Sequence, residues 1–566
     1  MLTDVHSSQR AVGEPAVGSG RGEPRRLVLV GGGPASASVL MRLAEIHGPV
    51  TDTGPAFGTG PAFGTEPDEI TVVDRDGEPG GGDPHGSHTA AALLLNDKLD
   101  DIDSTGIGFT TWLRANRSAW LGRLLDSGDA RVLRWLNANA DALARTDFGG
   151  LYLPRCIFGD FIRERFARAR RDLTDVGVRV RVVRAEAVAV RPDDAGWRVS
   201  MAAPDGHGHV PAALGADAVL LAVGSLAAAA PPTVRDHPGY LGNAWTRDVA
   251  AAQDRLTGLL GRVDADRRHV LVLGSSAAAS EVLYAIEGAD ALESLITKVT
   301  VISLSGRLAE GRPSGILRPF ECRHLPALLA AAERPAAERG GDNGAGPRAP
   351  TSAALVTAMR SDADLGRAQG YTIIDILPAL DPAFSAVFAL LSAEEKRTFV
   401  ERDFATYREL VRHTPPGYAA AAASLARSGR LTCVRGRVHD IAPSSSGGLR
   451  VRLAGDRPPI DAVAVFDCRG FTGVRHATNP VVSNLLARAT AAANASGRGL
   501  LVNDRFEAAP GLYVLGPALA GTSHPGAHIW SLENIARIHA LAGEIAADLL
   551  ARLATPARHP RCVGPA

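Results

Sequence analysis

Lysine is almost missing from this chain: only Lys98, Lys298 and Lys396 occur among 61 basic residues. The basic side chains are balanced by 61 acidic ones, so the formal net charge is zero. Nothing in that balance favours nucleic acid or an anionic membrane surface as a partner. Arginine in place of lysine, with abundant alanine, fits a GC-rich genome better than a functional signal. No run approaches the ~20 apolar residues of a membrane span. The five cysteines (Cys156, Cys322, Cys433, Cys468 and Cys562) are scattered, odd in number and never spaced C-x-x-C. That pattern argues against a disulfide framework and against a zinc site, and it suits a reducing cytosol. Residues 1–24 are polar and glycine-rich and lack the apolar core of a signal peptide, so they are expected to form a disordered leader. The expectation is a soluble cytoplasmic protein without a metal; a homo-oligomer is compatible with it.

What is present is a long chain of ordinary globular composition. At 566 residues, with 45% apolar and 22% charged, it exceeds a single core and suggests roughly three or four units at ~150 residues each. Apolar strands alternate with helical patterns, which predicts an α/β fold with parallel, doubly wound sheets.

Two stretches read as strand, tight turn of small residues, then helix. In the first, LVLVGGGPASASVL at 27–40, Gly31 permits the turn and Gly33 lets backbone approach a pyrophosphate. Pro34 opens the helix. Ser36 fills the third position, small enough for helix and strand to pack. Unpaired N–H groups and the positive end of the helix dipole then face the phosphates. The next strand, ITVVD at 70–74, ends in Asp74, placed to accept hydrogen bonds from a ribose hydroxyl pair. Between them GPAFGT occurs twice, at 54–59 and 60–65, and reads as a slippage insertion in a surface loop.

The second stretch, HVLVLGSSAAASEVL at 269–283, is built on Gly274, Ser276 and Ala279. Its following strand, VTVIS, ends at Ser303 without the acid. Arg307 lies a short reach beyond. A carboxylate there would repel a 2′-phosphate, whereas an arginine pairs with it, so NADPH is expected over NADH. Two nucleotide sites in one chain make sense if a flavin in the first accepts a hydride from a nicotinamide in the second.

Further stretches place the rest. DAVLLAVGS ends a buried strand near Gly224. DAVAVFDCRG at 461–470 reads as the strand returning to the first unit. GLYVLGPALAG supplies Gly516 and Pro517, and a long helix closes the chain. The expected organisation is a leader at 1–24, an FAD-binding part at 25–230, and an inserted NADPH domain at 231–460. That domain carries a helical insertion and a mobile linker at 334–351. An FAD-binding return segment follows at 461–566.

Together VLVGGGPAS, LLLN before Asn96, YLPRCIFGDFIRERF, RHTPP at 412–416, FDCRG, and LGPALAG with IWSLENIARI resemble the FAD- and NAD(P)-dependent N-hydroxylating monooxygenases. Within that group they resemble the branch of nitrosuccinate synthases, which oxidise the amino group of aspartate. The resemblance implies that FAD is reduced by NADPH and that a C4a-hydroperoxyflavin oxygenates a neutral amine. Substrate and molecular oxygen would be the partners. Catalysis then demands no particular side chain, and none is assigned. It also implies backbone groups near the flavin at 516–517 and a flavin-side hydrogen bond from Asn96.

Arg155, Arg412, Arg469 and Arg475 sit beside these motifs and could meet substrate carboxylates, though a structural role suits each better. His85 and His88 read as solvated loop residues, and Trp530 as a helix-entry residue. The alternative is an NAD(P)H-dependent flavin oxidoreductase or oxidase without oxygen insertion. A disulfide reductase lacks its cysteine pair here. A Baeyer–Villiger oxygenase would need a histidine and tryptophan at a spacing that His237 and Trp245 do not keep.

Overall fold

The computed structural model describes residues 25–47, 67–194, 196–204, 206, 210–242, 248–333, 349–524, 527–529 and 534–554. The leader at 1–24, the repeat at 54–65, Trp245, Trp530 and residues 334–348 of the expected linker lie outside them.

Two parallel sheets organise the chain. In the first, strand Arg26–Val30 lies between Glu69–Asp74 and Ala218–Leu221, and both neighbours run parallel to it. Arg179–Arg184 extends one edge, while Leu512–Val514 and Glu507–Ala509 extend the other. The central strand is apolar on both faces because helices cover one and strands the other; Leu27 and Leu29 are fully buried. Helix Pro34–His47 packs on Arg155–Asp175 and on the closing helix Ile535–Ala554. An antiparallel triplet, Glu186–Asp193, Gly196–Ala202 and Ala213–Ala216, packs beside this sheet.

The second sheet is built from Leu431–Arg435, Lys298–Ser303, His269–Leu273, Ala464–Asp467 and Tyr240–Leu241, in that order and all parallel. In sequence these strands fall between Ala218–Leu221 and Leu512–Val514 of the first sheet. The α/β class and its parallel sheets are therefore as the sequence predicts. One boundary differs. Ala464–Asp467, expected to open the returning FAD segment, pairs with His269–Leu273 in the second sheet. Its Ala464, Phe466 and Cys468 pack into that sheet's core on one side, with Val465 on the other. Burial on both faces needs a central position, and the gap beside His269–Leu273 supplies it.

Between Lys298–Ser303 and Leu431–Arg435 the chain makes a helical excursion, including Ser352–Ala368, Ile373–Ala389 and Phe404–Leu410. It has a core of its own around Met359, Ile376, Phe384, Phe388 and Phe399. The fully buried Asp362 accepts hydrogen bonds from the backbone N–H groups of Arg323, His324 and Leu325 at 2.8–2.9 Å. Those are orphan donors at the start of helix His324–Glu333, where a carboxylate is favoured.

Candidate functional site

The two turns share one geometric requirement. Gly31 has φ +99°, and a Cβ there would sit 2.2 Å from the carbonyl oxygen of Ala222. Gly274 has φ +102°, and its Cβ would meet the carbonyl oxygen of Cys468 at 2.3 Å. In each unit the neighbouring parallel strand ends against the turn, so only glycine fits. Serine replaces glycine in the second unit only where the space allows it.

Around the first turn, Asp74 holds the loops together. Its Oδ2 accepts from the Gly32 N–H at 3.0 Å, and its Oδ1 accepts from the N–H groups of Asp76 and Gly77. The Gly80 N–H donates to the Gly32 carbonyl at 2.6 Å, laying the glycine-rich loop 77–87 across the turn. A Cβ on Gly33 would meet nothing closer than Gly82 Cα at 3.8 Å. Gly82 of that loop therefore packs against Gly33 in front of helix Pro34–His47. Ser36 is fully buried, and its hydroxyl donates to the Gly31 carbonyl at 2.5 Å. Gly516, with φ +91°, comes within 3.9 Å of Ala35 by its virtual Cβ, so the Gly516–Pro517 turn lies beside the same helix start. Gly224 has φ +70° and open space around it just past the central strand's neighbour. The glycine turn, the helix start and the carboxylate at the end of the second strand thus lie together, the arrangement of parts found in dinucleotide-binding units.

Of two further expected positions, one differs from the sequence reading. Asn96 is exposed, while the next residue, Asp97, accepts a hydrogen bond from Asn534 Nδ2 at 3.0 Å. Burial raises the Asp97 carboxyl, with nearby His413 opposing the shift. His85 is not a solvated loop residue. It is buried edge-on against Phe158, with ring centroids 5.0 Å apart, and its Nδ1 has no hydrogen-bond partner. Burial, then the charge of Arg155, depresses its pKa to about 3, so the imidazole is neutral at physiological pH. A glycine-rich setting gave no sign of this, because the burial comes from the distant helix Arg155–Asp175.

At the second turn a cavity of about 510 Å³ opens in front of Gly274, Ser275 and Ser276. Ser276 caps helix Ala277–Glu287 by position only; its side chain makes no capping bond. Arg408, Arg412, Arg437, Arg469 and Arg498 also line the cavity. Arg412 arrives from the end of the helical excursion. Its Nη1 donates to Ser275 Oγ at 2.6 Å, and its Nη2 donates to the Arg307 carbonyl at 2.9 Å. Arg307 itself is exposed, and its backbone rather than its guanidinium holds Arg412. The cavity's lining of small turn residues, a helix start and several guanidinium groups suits an anionic ligand.

Of the arginines considered for a substrate carboxylate, three are engaged elsewhere. Arg155 pairs with buried Glu281 and donates to the Leu94 carbonyl. Arg412 is bound as described, and Arg469 pairs with Asp467. Arg475 is exposed. Among the described residues no group of three or more His, Cys, Asp or Glu is placed to hold a metal, and no helix is long and apolar enough to cross a membrane.

Residues 28–226 match the model of a family described as FAD-NAD(P)-binding. Uncharacterized proteins of Mycobacterium bovis and Mycobacterium tuberculosis are each 29% identical to this chain over 510 residues, covering 87% of it and 91% of theirs. The FAD-bound cadaverine monooxygenase of the desferrioxamine pathway of Erwinia amylovora superposes with a TM-score of 0.51 at 13% identity, over 95% of this chain and 98% of its own. At that identity the likeness is one of fold, and only the segment 28–226, with strands of the first sheet, matches the FAD-NAD(P)-binding family.

Proposed function

We propose that the protein is an FAD-dependent, NADPH-consuming monooxygenase that N-oxygenates a small amine or amino acid. The carrying observation is that two dinucleotide turns of the same geometry are joined by a buried ion pair, Arg155 to Glu281, in one body. The match to an FAD-NAD(P)-binding family over 28–226 supports flavin in the first site. Gly31, Gly33, Pro34, Asp74 and the 516–517 turn would hold it, with Ser36 packing the helix against the strand. Gly274, Ser276 and the arginines lining the cavity would hold NADPH, with the helical excursion closing over it. The bound flavin supplies hydride acceptance and oxygen activation; the protein's part is to align the two cofactors and keep water out.

The fold likeness to a cadaverine monooxygenase supports an amine as the nucleophile. Aspartate, yielding nitrosuccinate, is the first candidate, because the sequence resembles that branch. The engagement of Arg155, Arg412 and Arg469 leaves fewer cations for its carboxylates, so a panel of amines belongs beside it.

The test is rapid mixing of the FAD-loaded protein with NADPH, then with oxygenated buffer, while peroxide and N-oxygenated product are counted per NADPH. Bleaching of the flavin, followed by a shift from peroxide to product when an amine is added, is the expected result. Stoichiometric peroxide with every amine would leave a flavin oxidoreductase without oxygen insertion.

A further inference from the structure

In the first unit one side chain ties the glycine turn to the loop after the second strand: Asp74 accepts from Gly32 on one side and from Asp76 and Gly77 on the other. That is the position from which an acid reads the ribose hydroxyls of an unphosphorylated adenosine. The corresponding strand of the second unit ends at Ser303, with no acid. The place between turn and loop is nevertheless filled. Arg412 spans it, donating to Ser275 of the turn and to the Arg307 carbonyl of the loop, with Ser305 Oγ at 3.4 Å. A cation from the helical excursion thus stands where the first unit has its carboxylate.

We infer that Arg412 is the residue that selects the phosphorylated coenzyme, binding the 2′-phosphate in the space that Asp74 guards in the other unit. The inference rests on the proposed coenzyme site and adds to it a specificity residue that the local sequence around Ser303 does not contain.

Three observations carry it. The guanidinium has hydroxyls and a carbonyl as hydrogen-bond partners, not a carboxylate, so its charge is not cancelled by direct pairing. Its Nε is buried and has no hydrogen-bond partner, so the guanidinium's donors are not all used within the protein. It also lines the cavity together with Ser303 and Ser305, next to Gly436 and Arg437 at the end of the neighbouring strand. Arginine's planar fork suits a phosphate better than a single ammonium would. Arg307, which the local sequence favours, contributes its carbonyl and does not line the cavity.

The test uses the full-length FAD-loaded protein and calorimetric titration with NADP⁺ and, separately, NAD⁺. Neither is reductively consumed, so affinity is read without turnover. Wild type should prefer NADP⁺. Arg412→Gln should weaken NADP⁺ by about ten- to hundredfold, the range of a lost charge-assisted contact, and leave NAD⁺ within about threefold. Arg412→Lys, which keeps the charge but not the fork, should fall between. Arg307→Gln should leave the preference largely intact. If Arg412→Gln does not accumulate as holoprotein, Ser275→Ala carries the test, because it frees Arg412 without removing it and should cost NADP⁺ more than NAD⁺.

Equal losses for both nucleotides would overturn the inference and make Arg412 a general structural or pyrophosphate contact. Loss of preference in Arg307→Gln with none in Arg412→Gln would overturn it in favour of Arg307. A wild type that prefers NAD⁺ would overturn it as well. A wild type that binds neither nucleotide would sink the coenzyme site itself, a distinct outcome.

Discussion

Arg155 and Glu281 form a buried ion pair between the two nucleotide units, each side chain less than a tenth exposed. Arg155 opens a helix of the first unit, and Glu281 lies on the helix that begins at the second turn. Arg155 also donates to the Leu94 carbonyl, and Tyr418 accepts from the Leu94 N–H at 2.7 Å, so four segments meet there. Burial alone would lower the arginine's pKa, but Glu281 and Tyr418 outweigh it and hold it above the usual value. Removing one partner leaves a buried, uncompensated charge, at a cost of about 3–5 kcal/mol. Glu281→Gln or Arg155→Met should therefore lower the melting temperature clearly in calorimetry. The double variant Arg155→Met/Glu281→Leu should melt above either single one, since no unpaired charge remains. If the double variant melts below both, the pair is net stabilising rather than a fixed alignment between units.

The two glycines separate the cofactor assignments. A Cβ at position 31 or 274 would press on a strand carbonyl and also force a left-handed backbone, a strain of about 1–3 kcal/mol before the clash is counted. Gly31→Ala should purify with little flavin, read from the ratio of visible to ultraviolet absorbance. Gly274→Ala should keep its flavin yet resist bleaching by NADPH. The reverse pattern would exchange the two assignments.

Both turns were legible because their demands are local: a glycine, a small residue and a helix start follow one another within a few positions. Asp74 was legible for the same reason, lying at the end of the next strand. The helical excursion showed in its own periodicity. What could not be seen came from contacts distant in sequence. Arg412 meets Ser275 across 137 positions, and Arg155 meets Glu281 across 126. Neither leaves a pattern in its own neighbourhood. Ala464–Asp467 looked like a strand of the first sheet because burial on two faces reads the same in either sheet. His85 sits among loop residues yet is buried, since loop composition says nothing about which loop another element covers.

Acid should destabilise the protein before its carboxylates titrate. Burial, followed by nearby cationic charge, depresses His85 and His539 to about 3 and His269 to about 4, from an ordinary 6.5. Below pH 6.5 the unfolded chain binds protons at these rings that the folded chain does not. Stability contributed by the neutral rings is complete above pH 6.5 and is lost as pH falls toward 3–4. Each ring contributes a slope of up to about 1.4 kcal/mol per pH unit. Melting temperatures measured from pH 7.5 to 5 should fall, and His539→Leu should fall less steeply than wild type. Parallel curves for the two would mean that His539 is solvated in solution.

Asp74 tests whether the first cradle depends on its carboxylate or only on its glycines. The side chain accepts three backbone N–H bonds, from Gly32, Asp76 and Gly77, and so shapes the turn before any ligand arrives. Asp74→Asn keeps one acceptor oxygen and nearly the same volume, but loses the charge and one of the two accepting atoms. Asp74→Ala loses all three bonds and leaves those donors to water. Each charge-assisted bond is worth about 1.5–3 kcal/mol, part of which the loop recovers by solvation. Flavin affinity, measured by fluorescence during reconstitution of the apoprotein, should fall about tenfold in Asp74→Asn and further in Asp74→Ala. The affinity of the second site for NADP⁺ should not follow, because Arg412, not Asp74, stands at the equivalent place there. A loss at both sites together would mean that Asp74 acts through the whole fold, and the cradle would then rest on Gly31 and Gly33.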